Sequence, residues 1–157
     1  MIERCRKGTV MNKSVWGLFI LLLSGCAAPE DKLAYLTIWN DKWQLCVEEK
    51  ETSTHKFPQS DWFDNLSPND RKHVFVYPHL LKAYECTEFE ATNLKRVLDQ
   101  EDITTLNDVL KGFIFFEPPS DSKIKHLDSS EIEQLAQELD GPFSALRVAE
   151  ELGFFSL

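Results

Sequence analysis

The chain is short of basic residues, of glycine and of long apolar stretches. Its 157 residues carry 17 Lys and Arg against 26 Asp and Glu, a net charge of −9. A protein that grips nucleic acid by neutralising phosphates needs clustered Lys and Arg, so that class is excluded and no nucleic-acid partner is expected. With only 6 Gly and 7 Pro, a collagen-like or low-complexity chain is excluded too. The longest apolar run, residues 15–23 (VWGLFILLL), has nine positions, far below the ~20 that a membrane-spanning helix needs. The sequence contains no G-x-S-x-G, H-E-x-x-H, P-loop or glycine-rich dinucleotide fingerprint. His73 and His79 are six apart with Pro78 between them, which is not zinc-ligand spacing, and no repeat suggests a solenoid. What is present is 43% apolar residues, enough for the core of one domain.

The apolar run of residues 15–23 follows Arg4, Arg6, Lys7 and Lys13 and leads directly into Ser24, Gly25 and Cys26. A basic flank, a short apolar stretch and small residues form the layout of a secretory leader. Met11 would open a leader of conventional size, so no function is assigned to residues 1–10, Cys5 included. Leu23-Ser24-Gly25-Cys26 resembles the lipobox of bacterial lipoproteins. The resemblance implies cleavage before Cys26, a diacylglyceryl group on its sulfur and an acyl chain on its new amine. No other cofactor is expected. Two or three chains at ~0.8 kcal/mol per buried methylene anchor a protein durably, where one does not. Ala27, rather than Asp, after the lipidated Cys resembles lipoproteins sent to the outer membrane of Gram-negative cells, with the domain on the periplasmic face.

Residues 1–25 hold four basic and one acidic residue, so their removal takes 17 and 26 to 13 and 25, a mature net charge of −12. Residues 26–31 form the lipidated Cys and a short tether, and residues 32–157 a single periplasmic domain. A flexible tether of five residues reaches roughly 12 Å, so the domain is expected close to the bilayer. In an exported protein the two remaining thiols, Cys46 and Cys86, meet an oxidising compartment, and a disulfide is expected. Two unpaired buried cysteines and a catalytic thiol are the alternatives. Closing a loop of this size contributes about 4 kcal/mol in the chain-entropy model.

Along the domain, apolar residues at Leu33, Leu36, Trp39, Trp43, Cys46 and Val47 predict a helix over 32–47. Residues 48–59 lose that period and read as a loop. A helical turn is expected at 60–63, capped by Ser60 or Asp61, and Ser67-Pro68 starts a helix that should stop or kink before Pro78. A long helix over 79–98 and another over 101–111, ended by Gly112, follow. Residues 113–116 (FIFF) read as a short strand or buried extended segment, and 120–127 as a polar linker. Asp128 and Glu131 have capping-box spacing ahead of Ile132, Leu135, Ala136 and Leu139. Gly141-Pro142 breaks that helix and begins a last one with Phe143, Leu146, Ala149 and Leu152 on one stripe. The expected fold is mainly α, a compact small domain of five to six helices with one disulfide and room for one short extended segment.

Function is read from the aromatics. Most should be core. One group could instead line a groove for a partner's helix or strand, since buried aromatic anchors dominate binding energy. The candidates are Trp39, Trp43, Trp62, Phe143, Leu146, Phe154 and Phe155, with residues 141–157 as an element that could detach. The expected function is non-enzymatic binding of an envelope protein by an outer-membrane lipoprotein. The plan of lipobox, first helix with Cys46 and later helix with Cys86 is similar to the small helical pilotins that escort type II secretins, although the ~50 residues after Asp102 have no place in that plan. No pilotin binding residue transfers to this chain. The alternatives are a small-ligand or inhibitor module and an envelope hydrolase using acids such as Asp61 with Asp64 or Glu88 with Glu90. With so many acids, such pairs are expected mainly on solvated faces.

Overall fold

The computed structural model describes residues 32–100 and 104–155. Residues 1–31, which include the expected leader, Cys26 and the expected tether, and residues 101–103 and 156–157 lie outside the described residues. Among the described residues six helices follow in order: α1 (Lys32–Thr52), α2 (Asp61–Asp64), α3 (Pro68–Gln100), α4 (Thr104–Leu110), α5 (Ser129–Gln137) and α6 (Ala145–Glu151). No strand occurs among the described residues, and none of their helices is long and apolar enough to cross a membrane.

Two of these helices outrun their expected ends. α1 continues through Glu48, Glu49, Lys50 and Glu51, which lack an apolar period but are good helix formers. Lys50 in the last turn suits the negative end of the helix dipole, and the Thr52 hydroxyl donates back to the Glu48 carbonyl at 2.8 Å. α3 runs 33 residues straight through Pro78, although an interior proline costs a helix about 3 kcal/mol. The expected break at 78 is therefore not made. Apolar burial on both sides offsets the cost: Val74, Phe75 and Pro78 itself before it, and Ala83, Ala91, Leu94, Val97 and Leu98 after it, are all buried.

α3 serves two cores. Its first half enters a cluster with Phe57, Phe63, Ile124, Ile132, Leu135, Phe143 and Val148. There Phe57 lies 4.9 Å from Phe63 and 5.7 Å from Phe75, ring centre to ring centre. Its second half packs on α1 and α4 through Trp39, Cys46, Ala83, Leu94, Leu98, Leu110 and Phe116. α1 and α3 run antiparallel, since Cys46 joins Cys86 by a disulfide with Cα atoms 6.1 Å apart and Arg96 sits over the Tyr35 ring at 5.9 Å.

The caps follow the local sequence. Ser60 accepts from the Phe63 amide at 3.3 Å. Ser67 accepts from the Asp70 amide at 3.2 Å and donates to its carboxylate at 2.7 Å, a short reciprocal cap ahead of Pro68. Asp128 caps α5 by accepting from the Ser130 amide at 2.9 Å. At the end of α6, Gly153 adopts φ 73°, a conformation that side chains resist. The bonds from Gly153 to the Glu150 carbonyl and from Phe154 to the Ala149 carbonyl, both 3.0 Å, form a Schellman ending. This turn brings Phe154 back to Phe75, with ring centres 5.4 Å apart.

Three segments depart from expectation in detail. Residues 113–116 are successive turns rather than a strand, with the Phe113 amide donating to Leu110 and the Phe116 amide to Phe113. The polar linker hides an anchor, because turns at 121–127 fold Ile124 into the first core. α6 starts only at Ala145, after an extended stretch that buries Phe143, and its inward side is Val148 and Ala149, with Leu146 pointing out.

Replacing both Cys46 and Cys86 by serine should lower stability by about 4 kcal/mol and the melting temperature by more than about 10 °C, read by thermal circular dichroism. An unchanged midpoint would show that the cross-link does not constrain the unfolded chain.

Candidate interaction surface

Trp39 and Trp43, one helical turn apart on α1, stack with ring centres 6.1 Å apart and planes inclined by 10°. Phe113 stands edge-on to both, at 6.4 and 6.5 Å. Phe116 meets Trp39 at 5.6 Å and Phe115 meets Trp43 at 6.4 Å. These edge-to-face geometries match the positive ring edge to the negative ring face. The turn carrying the phenylalanines is held from beneath at one atom, the Phe115 carbonyl oxygen. It accepts from the fully buried Thr87 hydroxyl and from Trp39 Nε1 at 3.4 Å.

What the turn offers to solvent is apolar. Phe113 is 44% and Ile114 47% exposed, and Trp43 beside them is partly buried. On the flank, Lys95 lies over the Phe116 ring at 4.9 Å and pairs with Glu117 at 3.6 Å. The arrangement is a preorganised apolar surface with a charged rim.

The seven residues singled out in the sequence are spread over the domain. Trp39 and Phe143 are core residues, packed away from any partner in this structure. Neither ring is open at the surface. Trp62 and Phe154 are partly buried against the first core, and Leu146 and Phe155 are exposed. Residues 141–155 are packed against the first core in this structure. Phe143 is buried against Phe75 and His79, at 6.1 and 5.2 Å between ring centres. Arg147 donates from Nη1 to the Ser53 carbonyl and from Nη2 to that of His55 at 3.3 Å. Arg71 sits between the rings of Phe63 and Phe154, 5.1 and 5.6 Å from their centres. Of the seven, only Trp43 belongs to the exposed aromatic surface.

Phe113, Ile114 and Thr87 were not among the seven sequence candidates, although Phe113 belongs to the late aromatic cluster of the sequence, and each left a signal. Four consecutive apolar residues between Gly112 and Pro118 cannot all turn inward in so tight a segment. Thr87 is the polar member of the buried stripe Ala83, Thr87, Ala91 and Leu94, so its hydroxyl needs an internal partner.

Several polar groups have structural partners, while Arg71 Nε and His79 Nδ1 are buried without a hydrogen-bond partner. Ser67, Asp70 and His126 meet on the surface, but Ser67 and His126 bond to different oxygens of Asp70, at 2.7 and 3.1 Å, rather than to each other. The Ser67 hydroxyl first, and His126 after it, hold the Asp70 carboxyl below its usual range. Burial, aided by the Lys50 charge, pushes the His79 imidazole below its usual range, against a bond to the Phe143 backbone. Asp61 and Asp64 lie on α2, Asp64 3.6 Å from Arg71, and Glu88 and Glu90 are two apart on α3, where they diverge. No group of three His, Cys, Asp or Glu side chains converges to hold a metal among the described residues. A cleft of about 270 Å³ between Tyr77, Ile124 and Glu133 and a notch of about 190 Å³ between Glu49, Lys82 and Asp140 are both smaller than ordinary small-molecule sites. No protein-family model, curated protein or solved structure matches the chain.

Thr87→Val should cost about 1–2 kcal/mol by leaving the Phe115 carbonyl underpaired and should broaden the near-ultraviolet signal of Trp39 and Trp43. A variant as stable as the parent, with an unchanged aromatic spectrum, would show that the turn is held by ring packing alone.

Proposed function

We propose that this protein is a non-enzymatic lipoprotein, anchored by acyl chains on Cys26 to the periplasmic face of a Gram-negative outer membrane. It binds an envelope protein partner in an assembly or accessory role of the pilotin kind. The anchor rests on the basic flank, the apolar run and the lipobox. The binding role rests on one observation above the others. Phe113 and Ile114 stand open to solvent on a turn fixed from below by Thr87 and Trp39. A surface that is already ordered loses little entropy when a partner covers it, and a small aromatic patch with a polar rim is the composition of an interface centre. The −12 charge of the mature chain favours a partner whose rim is basic.

The test is capture of partners by cross-linking in the protein's own cells, comparing the parent with Ile114→Asp. Ile114 lies outside both core clusters, so the variant should keep its helicity while losing at least about tenfold in recovery of one stoichiometric envelope protein. Equal recovery by the variant would place the interface elsewhere. Absence of any partner, together with a hydrolytic activity sensitive to mutation of Asp61 or Glu88, would replace this reading by the hydrolase.

A further inference from the structure

α1 is apolar on two sides. Leu36, Trp39, Trp43, Cys46 and Val47 face the core. Ala34, Ile38 and Leu45, spaced at i, i+4 and i+11, form a second line on the outer side, where Ile38 is 53% and Leu45 59% exposed. At about 100° per residue, Ile38 and Leu45 lie roughly 140° and 160° round the helix from Trp43. A helix that carries apolar residues on opposite sides is ordinarily covered on both. Here the described residues cover one.

We propose that the outer side of α1 lies flat on the lipid surface to which the chain is anchored, with Ile38 and Leu45 immersed at the boundary of headgroups and acyl chains. The inference rests on lipidation of Cys26 as read above. Its further support is length. Lys32 opens α1 only six positions after Cys26, and the five residues between them reach roughly 12 Å, which keeps the start of the helix beside the membrane. Ile38 is about 9 Å and Leu45 about 20 Å along the axis from Lys32. A helix standing upright would lift Leu45 clear of the lipid, whereas one lying in the plane brings both side chains down together, as interfacial helices do. Lys42 lies between them and can extend its ammonium to the headgroups while its stem stays on the apolar line. Asp41 and Glu48 flank the line with negative charge, so the matching surface is zwitterionic rather than anionic. Trp43, Phe113 and Ile114 then face away from the membrane, open to a partner.

The test uses the acylated full-length protein in vesicles of phosphatidylcholine and phosphatidylethanolamine, footprinted by hydroxyl radicals and read by mass spectrometry. Phe89 and Leu146, 75% and 64% exposed, serve as open references. Ile38 and Leu45 should oxidise at least about fivefold more slowly than these references after correction for intrinsic reactivity. Polarised infrared spectra should place the long helices in the bilayer plane. The double variant Ile38→Ser, Leu45→Ser should keep its acyl chains and its circular dichroism but lose that orientation. Oxidation of Ile38 and Leu45 at the reference rate, in protein still acylated and vesicle-bound, would overturn the proposal and leave the anchor intact. Protection accompanied by cross-links between two α1 helices would overturn it in favour of a second copy. A mature chain carrying no acyl mass on Cys26 would overturn the anchor and, with it, this inference.

Discussion

The second core depends on α1 keeping its register against α3, and one covalent bond sets that register. Cys46 and Cys86 meet in the interior of both helices, close to where the two clusters divide. With that point fixed, antiparallel geometry brings Trp39 toward Leu94 and Tyr35 toward Arg96, and the stacked tryptophans acquire a floor. A slip of one residue would rotate α1 by about 100° and turn its core line away from α3. The disulfide therefore does more than shorten the unfolded chain. It holds the core line of α1 against α3.

α3 carries the complementary constraint. A helix of 33 residues is roughly 50 Å long, more than a single core of this size can cover. It is stabilised at one end by Phe57, Phe63 and Phe143 and at the other by α1 and the phenylalanine turn. Pro78 sits where the two grips meet. The stretch around it is where the helix has least to lose from a missing hydrogen bond, because neighbours hold both of its sides.

Much of this was legible in the sequence. The core line of α1, the caps at Ser60, Ser67 and Asp128, the pairing of Cys46 with Cys86 and the mainly helical class follow from periodicity, local hydrogen bonding and redox chemistry. The errors share a cause. Reading Pro78 as a break, residues 48–52 as a loop and residues 120–127 as a linker all gave local preference the decision, where tertiary burial took it. The aromatic candidates were harder. Periodicity separates the wet and dry sides of a regular helix, but Phe113 and Phe116 lie in turns, and there only the fold decides which ring is covered. Trp39 and Trp43 differ by one turn and share a stripe, yet one is sealed beneath the phenylalanine turn and the other reaches its edge. Leu146, expected on the inward stripe, is exposed, and Val148 is buried in its stead, because α6 begins later than Gly141 and Pro142 suggest.

Arg147 links the last helix to the carbonyls of Ser53 and His55, more than ninety residues earlier, and Phe143 fills the middle of the first core. A chain delivered N-terminus first can pair α1 with α3 once Gln100 has emerged, but its first core stays open until residues 143–154 arrive. For most of its passage, wherever that leads, the polypeptide is half-built, with Phe57, Phe63 and Phe75 uncovered. Any chaperone that attends this protein therefore has a defined task, which is to shield three phenylalanines until the final helix docks.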